Sequence, residues 1–228
     1  MKKVWSLLAG ITAMATTATA QIHFAPELGM NFANLHGKYD DAAGDRKKVD
    51  GTIKLGVKAG VNADIMLGKR FSIQPGLFYS IKGSKIKEDN LGISTEDNFT
   101  LHYFEIPINF QYYFNDPNEG RLFIGAGPYA GVAFSGKDKY SYPASDGTQK
   151  LKFGNDYPSN DLQRFELGGQ VNLGYLLRSG LFFRAMYQGG ITNLIPQGNQ
   201  DAVAKKMDQT LRTTNISVSV GYMIGAKR

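Results

Sequence analysis

The chain has 228 residues, 42% of them hydrophobic and 20% charged, which suits one folded domain and excludes disorder by composition. It contains no cysteine, which excludes a disulfide framework, cysteine-ligated zinc and thiol chemistry, and His23, His36 and His102 leave little for a histidine-rich metal centre. The formal charge of +6 raises nucleic acid as a partner, so the position of the charge matters before its sum does.

The first residues read as an export signal. Met1-Lys2-Lys3 is basic, Val4 to Ala15 is mostly apolar or small, and Ala18-Thr19-Ala20 has the small-x-small form that signal peptidase cuts. A signal peptide over 1–20 is expected, with residues 21–228 as one mature barrel domain. The apolar stretch is too short to span a bilayer, and no cysteine follows the cleavage site to carry a lipid anchor. Export argues against DNA or RNA as a partner.

Beyond residue 20 no apolar run approaches the length of a membrane helix, and the pattern has period two. In chain order, strands are predicted at roughly 22–34, 52–66, 70–82, 99–114, 121–136, 162–177, 181–192 and 211–226. The second is the clearest. Ile53, Leu55, Val57, Ala59, Val61, Ala63 and Ile65 alternate with Lys54, Gly56, Lys58, Gly60, Asn62, Asp64 and Met66. The sixth repeats the pattern with Phe165, Leu167, Val171, Leu173 and Tyr175 on one face, and the eighth with Ile216, Val218, Val220, Tyr222 and Ile224. Connections alternate between long (35–51, 83–98, 137–161, 193–210) and short (67–69, 115–120, 178–180). That layout predicts an all-β fold, an eight-stranded antiparallel up-and-down transmembrane β-barrel with short turns and both termini in the periplasm.

Alternation alone leaves open a soluble barrel with its apolar face inside. Two features favour the membrane. The polar face is rich in glycine (Gly56, Gly60, Gly76, Gly125, Gly127, Gly131, Gly168, Gly174, Gly190), as a narrow lumen requires. The apolar face carries Phe71, Tyr79, Phe104, Tyr112, Phe134, Tyr175, Tyr187 and Tyr222 near strand ends, as interfacial girdles do.

Three segments, Gln74–Gly83, Tyr103–Phe114 and Gly125–Gly131, together resemble the PorT-like outer-membrane β-barrel family of Gram-negative bacteria. The resemblance covers most of residues 21–228. It implies the barrel fold and the outer membrane, and says little about activity; the family's named member belongs to a protein-secretion and gliding apparatus. Pro26, Pro75, Pro107 and Pro128 fall inside predicted strands, so bulges or kinks are expected there. The ending from Tyr222 to Arg228 departs from the usual terminal aromatic.

The long connections hold slightly more acid than base, whereas the short turns and tail hold Lys69, Arg70, Arg121, Arg178, Lys227 and Arg228 against Asp116 and Glu119. The excess base is expected at the periplasmic headgroup level. No basic stripe interleaved with aromatics is visible, so no nucleic-acid surface is expected. Within the strands, Glu27, Lys54, Lys58, Asp64, Glu105, Glu166 and Arg184 fall on the polar parity. They form an expected lumen charge network, with Lys58 contacting Glu27 or Glu105 and Arg184 pairing an acid nearer the periplasmic end. An eight-stranded barrel is just wide enough to be filled by such side chains.

Catalytic motifs are absent: no Gly-x-Ser-x-Gly, His-Glu-x-x-His, P-loop or EF-hand loop occurs. Ser80, Ser84, His36 and His102 with nearby carboxylates supply the residue types of a rim hydrolase. Asp40, Asp41, Asp45 and Asp50 supply oxygens for calcium, but Arg46, Lys47 and Lys48 among them favour a solvated loop. No catalytic residue, metal or cofactor is expected. The expected function is structural or interactive, through the long outer loops, with Tyr140, Tyr142 and Tyr157 as candidate contacts. Its partners would be outer-membrane lipids and envelope or secretion proteins, and the barrel monomeric. The alternatives are a component of a secretion or envelope-assembly complex and a narrow pore for small solutes.

Overall fold

The computed structural model describes residues 22–40, 46–90, 93–115, 120–142, 145–198 and 209–225. The expected signal peptide lies outside them, as do Asp41, Asp45, Asp116, Glu119, Lys227 and Arg228. Ten strands are present: β1 (Ile22–Asp40), β2 (Arg46–Asp50), β3 (Thr52–Met66), β4 (Phe71–Asn90), β5 (Ile93–Tyr113), β6 (Arg121–Tyr142), β7 (Ser145–Lys150), β8 (Phe165–Leu176), β9 (Leu181–Gly190) and β10 (Thr210–Tyr222). Eight of them, all but β2 and β7, close an antiparallel ring in chain order. The closing pair is β1 with β10, in register from Glu27↔Gly221 to Lys38↔Thr210. Closure gives every ring strand a hydrogen-bonded neighbour on both sides and leaves no open edge, which a membrane core demands.

The faces follow the side-chain period of two. Leu28, Leu55, Leu77, Ile106, Phe165, Leu167, Val171, Val218 and their outward neighbours are 40–64% exposed, forming one apolar belt. The intervening residues are buried in the lumen. Aromatic rings mark both borders of the belt. At the short-turn end Tyr112 packs against Phe71 and Phe114, each with ring centroids 5.0 Å apart. At the other end Phe104 stacks on Phe134 at 4.7 Å, with Tyr79 and His102 beside them.

Three expectations are corrected. First, the connection expected over 83–98 is strand nearly throughout, because β4 and β5 pair without break from Phe78↔Glu105 to Asn90↔Ile93. Likewise β6 runs to Tyr142 and folds back as β7. The ladder is made by backbone groups, so it continues past Gly83 although the hydrophobic alternation that marks a strand in sequence stops there. Second, β10 ends at Tyr222, short of the expected 226. Third, the prolines do not bulge. Pairing is interrupted at Ala63–Asp64 opposite Gln74–Pro75, at Gly76–Leu77 opposite Ile106–Pro107, and at Ile108–Asn109 opposite Gly127–Pro128, yet register is the same on both sides of each gap. A proline removes a donor to one neighbour and leaves the other ladder intact, so it needs no extra residue. The register shifts lie elsewhere, at Ile53/Lys58 and His102/Tyr103.

The lumen has three layers. Ala25, Tyr113, Phe123, Leu176, Phe182 and Met223 form an apolar cluster at the short-turn end. Leu35, Leu101, Tyr103, Ala133, Leu162 and Leu194 form a second at the long-loop end, backed by Phe99, Leu151, Phe153 and Leu211. Leu151, Phe153, Leu162 and Leu194 come from the connections after β7 and β9, which fold inward over the mouth. Backbone bonds fix them there: Leu151 N to Gly136 O at 3.0 Å, Gln163 N to Leu194 O at 2.7 Å and Leu194 N to Leu211 O at 2.8 Å. Between the apolar clusters lies a polar layer. Two inward glycines make room for the lower cluster: a Cβ at Gly174 would collide with the Phe123 ring, and one at Gly221 with Phe182.

Candidate functional site

The polar layer is the densest collection of charge in the barrel. Glu27 on β1 sits at its lower part, 4% exposed. Its Oε2 accepts from Arg184 Nη1 of β9 at 2.8 Å and from Asn62 Nδ2 of β3 at 2.9 Å. Its Oε1 accepts from Ser219 Oγ at 2.7 Å and faces Lys58 Nζ at 3.4 Å. Arg184 Nη2 also donates to Gln74 Oε1 at 2.7 Å, and Lys58 lies 4.4 Å from the centre of the Phe78 ring.

Lys82 centres a second group. Its Nζ stands 2.5 Å from Glu105 Oε1 of β5 and 3.7 Å from Glu166 Oε1 of β8, over the Tyr129 ring at 4.8 Å. Glu166 also accepts from Tyr129 Oη at 2.5 Å and from Thr213 Oγ1. Asp64 forms a third site, bound by hydrogen bonds from Ser72 Oγ at 2.5 Å, Gln74 Nε2 at 3.0 Å and Tyr113 Oη at 3.3 Å.

Amides join the groups. From Ser80 the chain of hydrogen bonds runs through Asn31, Asn215, Gln188, Gln170, Asn109, Asn172 and Gln111 to Gln74, each link between 2.6 and 3.4 Å. These residues come from β1, β4, β5, β8, β9 and β10, so the relay crosses the lumen as well as circling it. Among the described residues the fully buried charges balance: Glu27, Asp64, Glu105 and Glu166 against Lys58, Lys82, Arg121 and Arg184. Burial of this many charges is tolerable only with such pairing and hydrogen bonding.

The structure therefore brings Lys58 to Glu27. Arg184 meets the same Glu27 rather than another acid nearer the short-turn end, because Arg184 and Ser219 are register partners and Ser219 leans on Glu27. Lys54, expected in the lumen network, is not part of it: past the register shift between Ile53 and Lys58 its half-buried side chain donates to Asn98 Oδ1 and, at 2.5 Å, to Thr100 Oγ1, on the same parity of β5 as the outward His102 and Phe104. Lys82, Arg121 and the amide relay were missing from the sequence-based network, although all sit on the inward parity. Arg121 covers the lower mouth, with its guanidinium 4.1 Å from the centre of the Tyr113 ring.

The hydrolase elements are separated. Ser80 and Ser84 are buried and bond Asn31 and Asn34. His102 is on the outer face, where Nδ1 meets Tyr79 Oη at 2.7 Å, and His36 Nδ1 meets Thr214 Oγ1 at 3.0 Å. Among the described residues no group of His, Asp or Glu is arranged to hold a metal. The side chains of Asp40, Asp50 and Tyr142 lie outside the described ones. Tyr140 is on the outer part of β6 and Tyr157, 37% exposed, on the segment after β7.

A family model described as "Outer membrane protein beta-barrel domain" matches residues 14–196. No curated protein matches the sequence. Among solved structures the chain is similar to Ail, the attachment invasion locus protein of Yersinia pestis, at 12% identity and TM-score 0.42, covering 89% of this chain and 98% of that one. It is similar to Neisserial surface protein A at 13% identity and TM-score 0.37, covering 87% and 96%. The outer membrane protease OmpT from Escherichia coli matches at 13% identity and TM-score 0.39, covering 92% and 99%.

Proposed function

Since the chain belongs to the outer membrane protein beta-barrel domain family, we propose that this outer-membrane barrel is a sealed, non-enzymatic body that acts in envelope structure or surface interaction through its long-loop end. The observation that carries the reading is the closure of the lumen. An apolar cluster stands at each mouth, and charges held by two or more partners fill the space between. A solute would have to break both layers, which leaves the outside of the molecule as its working surface. The long-loop end offers the most of it, since β4, β5, β6 and β7 continue above the apolar belt as one sheet. In this reading the long-loop end faces outward, and the ends at Ile22 and Tyr222 face the periplasm.

The finer placement among PorT-like barrels is supported by Gln74–Gly83, Tyr103–Phe114 and Gly125–Gly131, which fall on the consecutive strands β4, β5 and β6. A second reading, a barrel component of a secretion or envelope-assembly complex, is favoured by the basic residues Lys69, Arg70 and Arg178 in the turns of the lower rim. Photo-crosslinking groups placed at Tyr140 and Tyr157, and separately at Lys69 and Arg178, separate the two in native membranes. Discrete adducts from the Tyr positions are expected. Adducts confined to the rim positions would replace the first reading with the second.

A further inference from the structure

The outward face of β1 changes character over a few residues. Phe32 and its register partner Ile216 on β10 are the last apolar pair, followed by Asn34 opposite Thr214, then His36 opposite Arg212. On the other side of β1 the added strand β2 sets Lys48 directly opposite Lys38, Arg46 opposite Asp40 and Asp50 opposite His36. Directly opposed like charges destabilise an antiparallel pair. Here Lys38↔Lys48 is such a pair, and His36↔Arg212 lies beside it, on three adjacent strands.

These groups surround a cleft of 530 Å³ lined by His36, Lys38, Arg46, Lys48, Thr210 and Arg212, with Gly37 as its floor. No acid lines it. The His36–Arg212 row lies four residues beyond Phe32, about 13 Å along the strand and roughly 10 Å in height at the tilt of a membrane barrel. That is the level at which headgroup phosphates begin, directly above the acyl chains that the apolar belt meets.

We propose that the cleft between β1, β2 and β10 binds the phosphate of an anionic glycolipid of the outer leaflet. Lysine and arginine side chains supply the charge-assisted donors that phosphate oxygens accept, and the lipid supplies the negative charge that makes the opposed cations tolerable. The lipid's acyl chains would continue downward over Phe32, Met30, Ile216 and Val218, which are outward and apolar. The assignment rests on the outward orientation of the long-loop end given above.

The test is a titration of the folded barrel in detergent micelles with diphosphorylated lipid A, with dephosphorylated lipid A and with inorganic phosphate. Saturable binding of the phosphorylated lipid alone is expected. It should weaken roughly a hundredfold in Lys38→Gln/Lys48→Gln/Arg212→Gln, as three headgroup-level cations imply. It should survive in Lys38→Arg/Lys48→Arg and in Lys139→Gln/Lys150→Gln/Lys152→Gln, which removes the same charge elsewhere at the same end. Heat-dependent gel mobility verifies folding of each variant. Equal binding of the dephosphorylated lipid, equal affinity for inorganic phosphate, or equal loss in the second triple variant would each overturn the assignment. Labelling of Ser145→Cys, at the β6–β7 hairpin and outside the cleft, tests the orientation separately on intact cells: protection there would reverse the barrel.

Discussion

Lys82 and Glu105 meet at 2.5 Å inside the barrel from the paired strands β4 and β5, with neither side chain more than 4% exposed. Glu166 reaches the same ammonium from β8 at 3.7 Å, so one lysine holds together carboxylates from two sides of the ring. Removing one member of a buried set costs more than removing the set, because the cost is dominated by the orphaned charge. Lys82→Met alone should destabilise the barrel by about 3–5 kcal/mol. Lys82→Met with Glu105→Gln and Glu166→Gln should cost much less. Denaturant unfolding in lipid vesicles measures both, and strictly additive costs would show that the carboxylates are solvated.

The same logic applies one layer lower, where Lys58 and Arg184 share Glu27. Glu27→Gln strands two cations and should be the most damaging single change in that group, at about 3–5 kcal/mol. Lys58→Met leaves Glu27 its bond to Arg184 and should cost less. The reverse order in unfolding experiments would mean that Lys58, not Glu27, organises the layer.

On the outside, Val218 is 47% exposed in the apolar belt and pairs with Met30 and Ala185. Val218→Arg should cost about 2–4 kcal/mol of folding stability in bilayers, the depth-dependent cost of a cation on the lipid face. Tolerance of Val218→Arg in vesicle-refolding assays would contradict the face assignment.

With both mouths closed by Phe123 and Phe182 below and by Leu101, Leu162 and Leu194 above, the purified wild-type protein should give no stable conductance steps in planar bilayers. Reproducible ion channels at moderate voltage would show that the apolar layers open.

His102 faces outward among Tyr79, Phe104 and Phe134 and holds the Tyr79 hydroxyl at 2.7 Å. His102→Ala should leave envelope lipid composition unchanged and cost roughly 1 kcal/mol, the net worth of one hydrogen bond. Loss of a lipid modification in cells carrying the variant would instead assign chemistry to that face.

Several inward apolar residues carry a signal of the closed lumen in the sequence itself. Ala25, Phe123 and Phe182 stand on the polar parity at the short-turn ends of their strands, and Leu35, Leu101 and Tyr103 on the same parity at the opposite ends. Apolar residues at both ends of a polar face are what a plugged lumen looks like in one dimension. The inward folding of Leu151, Phe153, Leu162 and Leu194 has no such signature, because nothing local says that a connection returns over the mouth it leaves.

The sequence by itself determined the ring strands and their faces. Side-chain direction along a strand alternates residue by residue, so the runs at 53–65, 165–175 and 216–224 already separate lipid-facing from lumen-facing positions. Which inward residues touch was decided only by the tertiary structure. Glu27 and Arg184 are 157 positions apart and meet because β10 closes onto β1 and leaves β9 one strand away. Lys82 lies where alternation gives way to Gly83 and Ser84, and only the stagger of β4 against β5 and the breadth of the lumen bring it to Glu105 and Glu166. Those quantities belong to the closed ring as a whole, and no segment of the chain carries them alone.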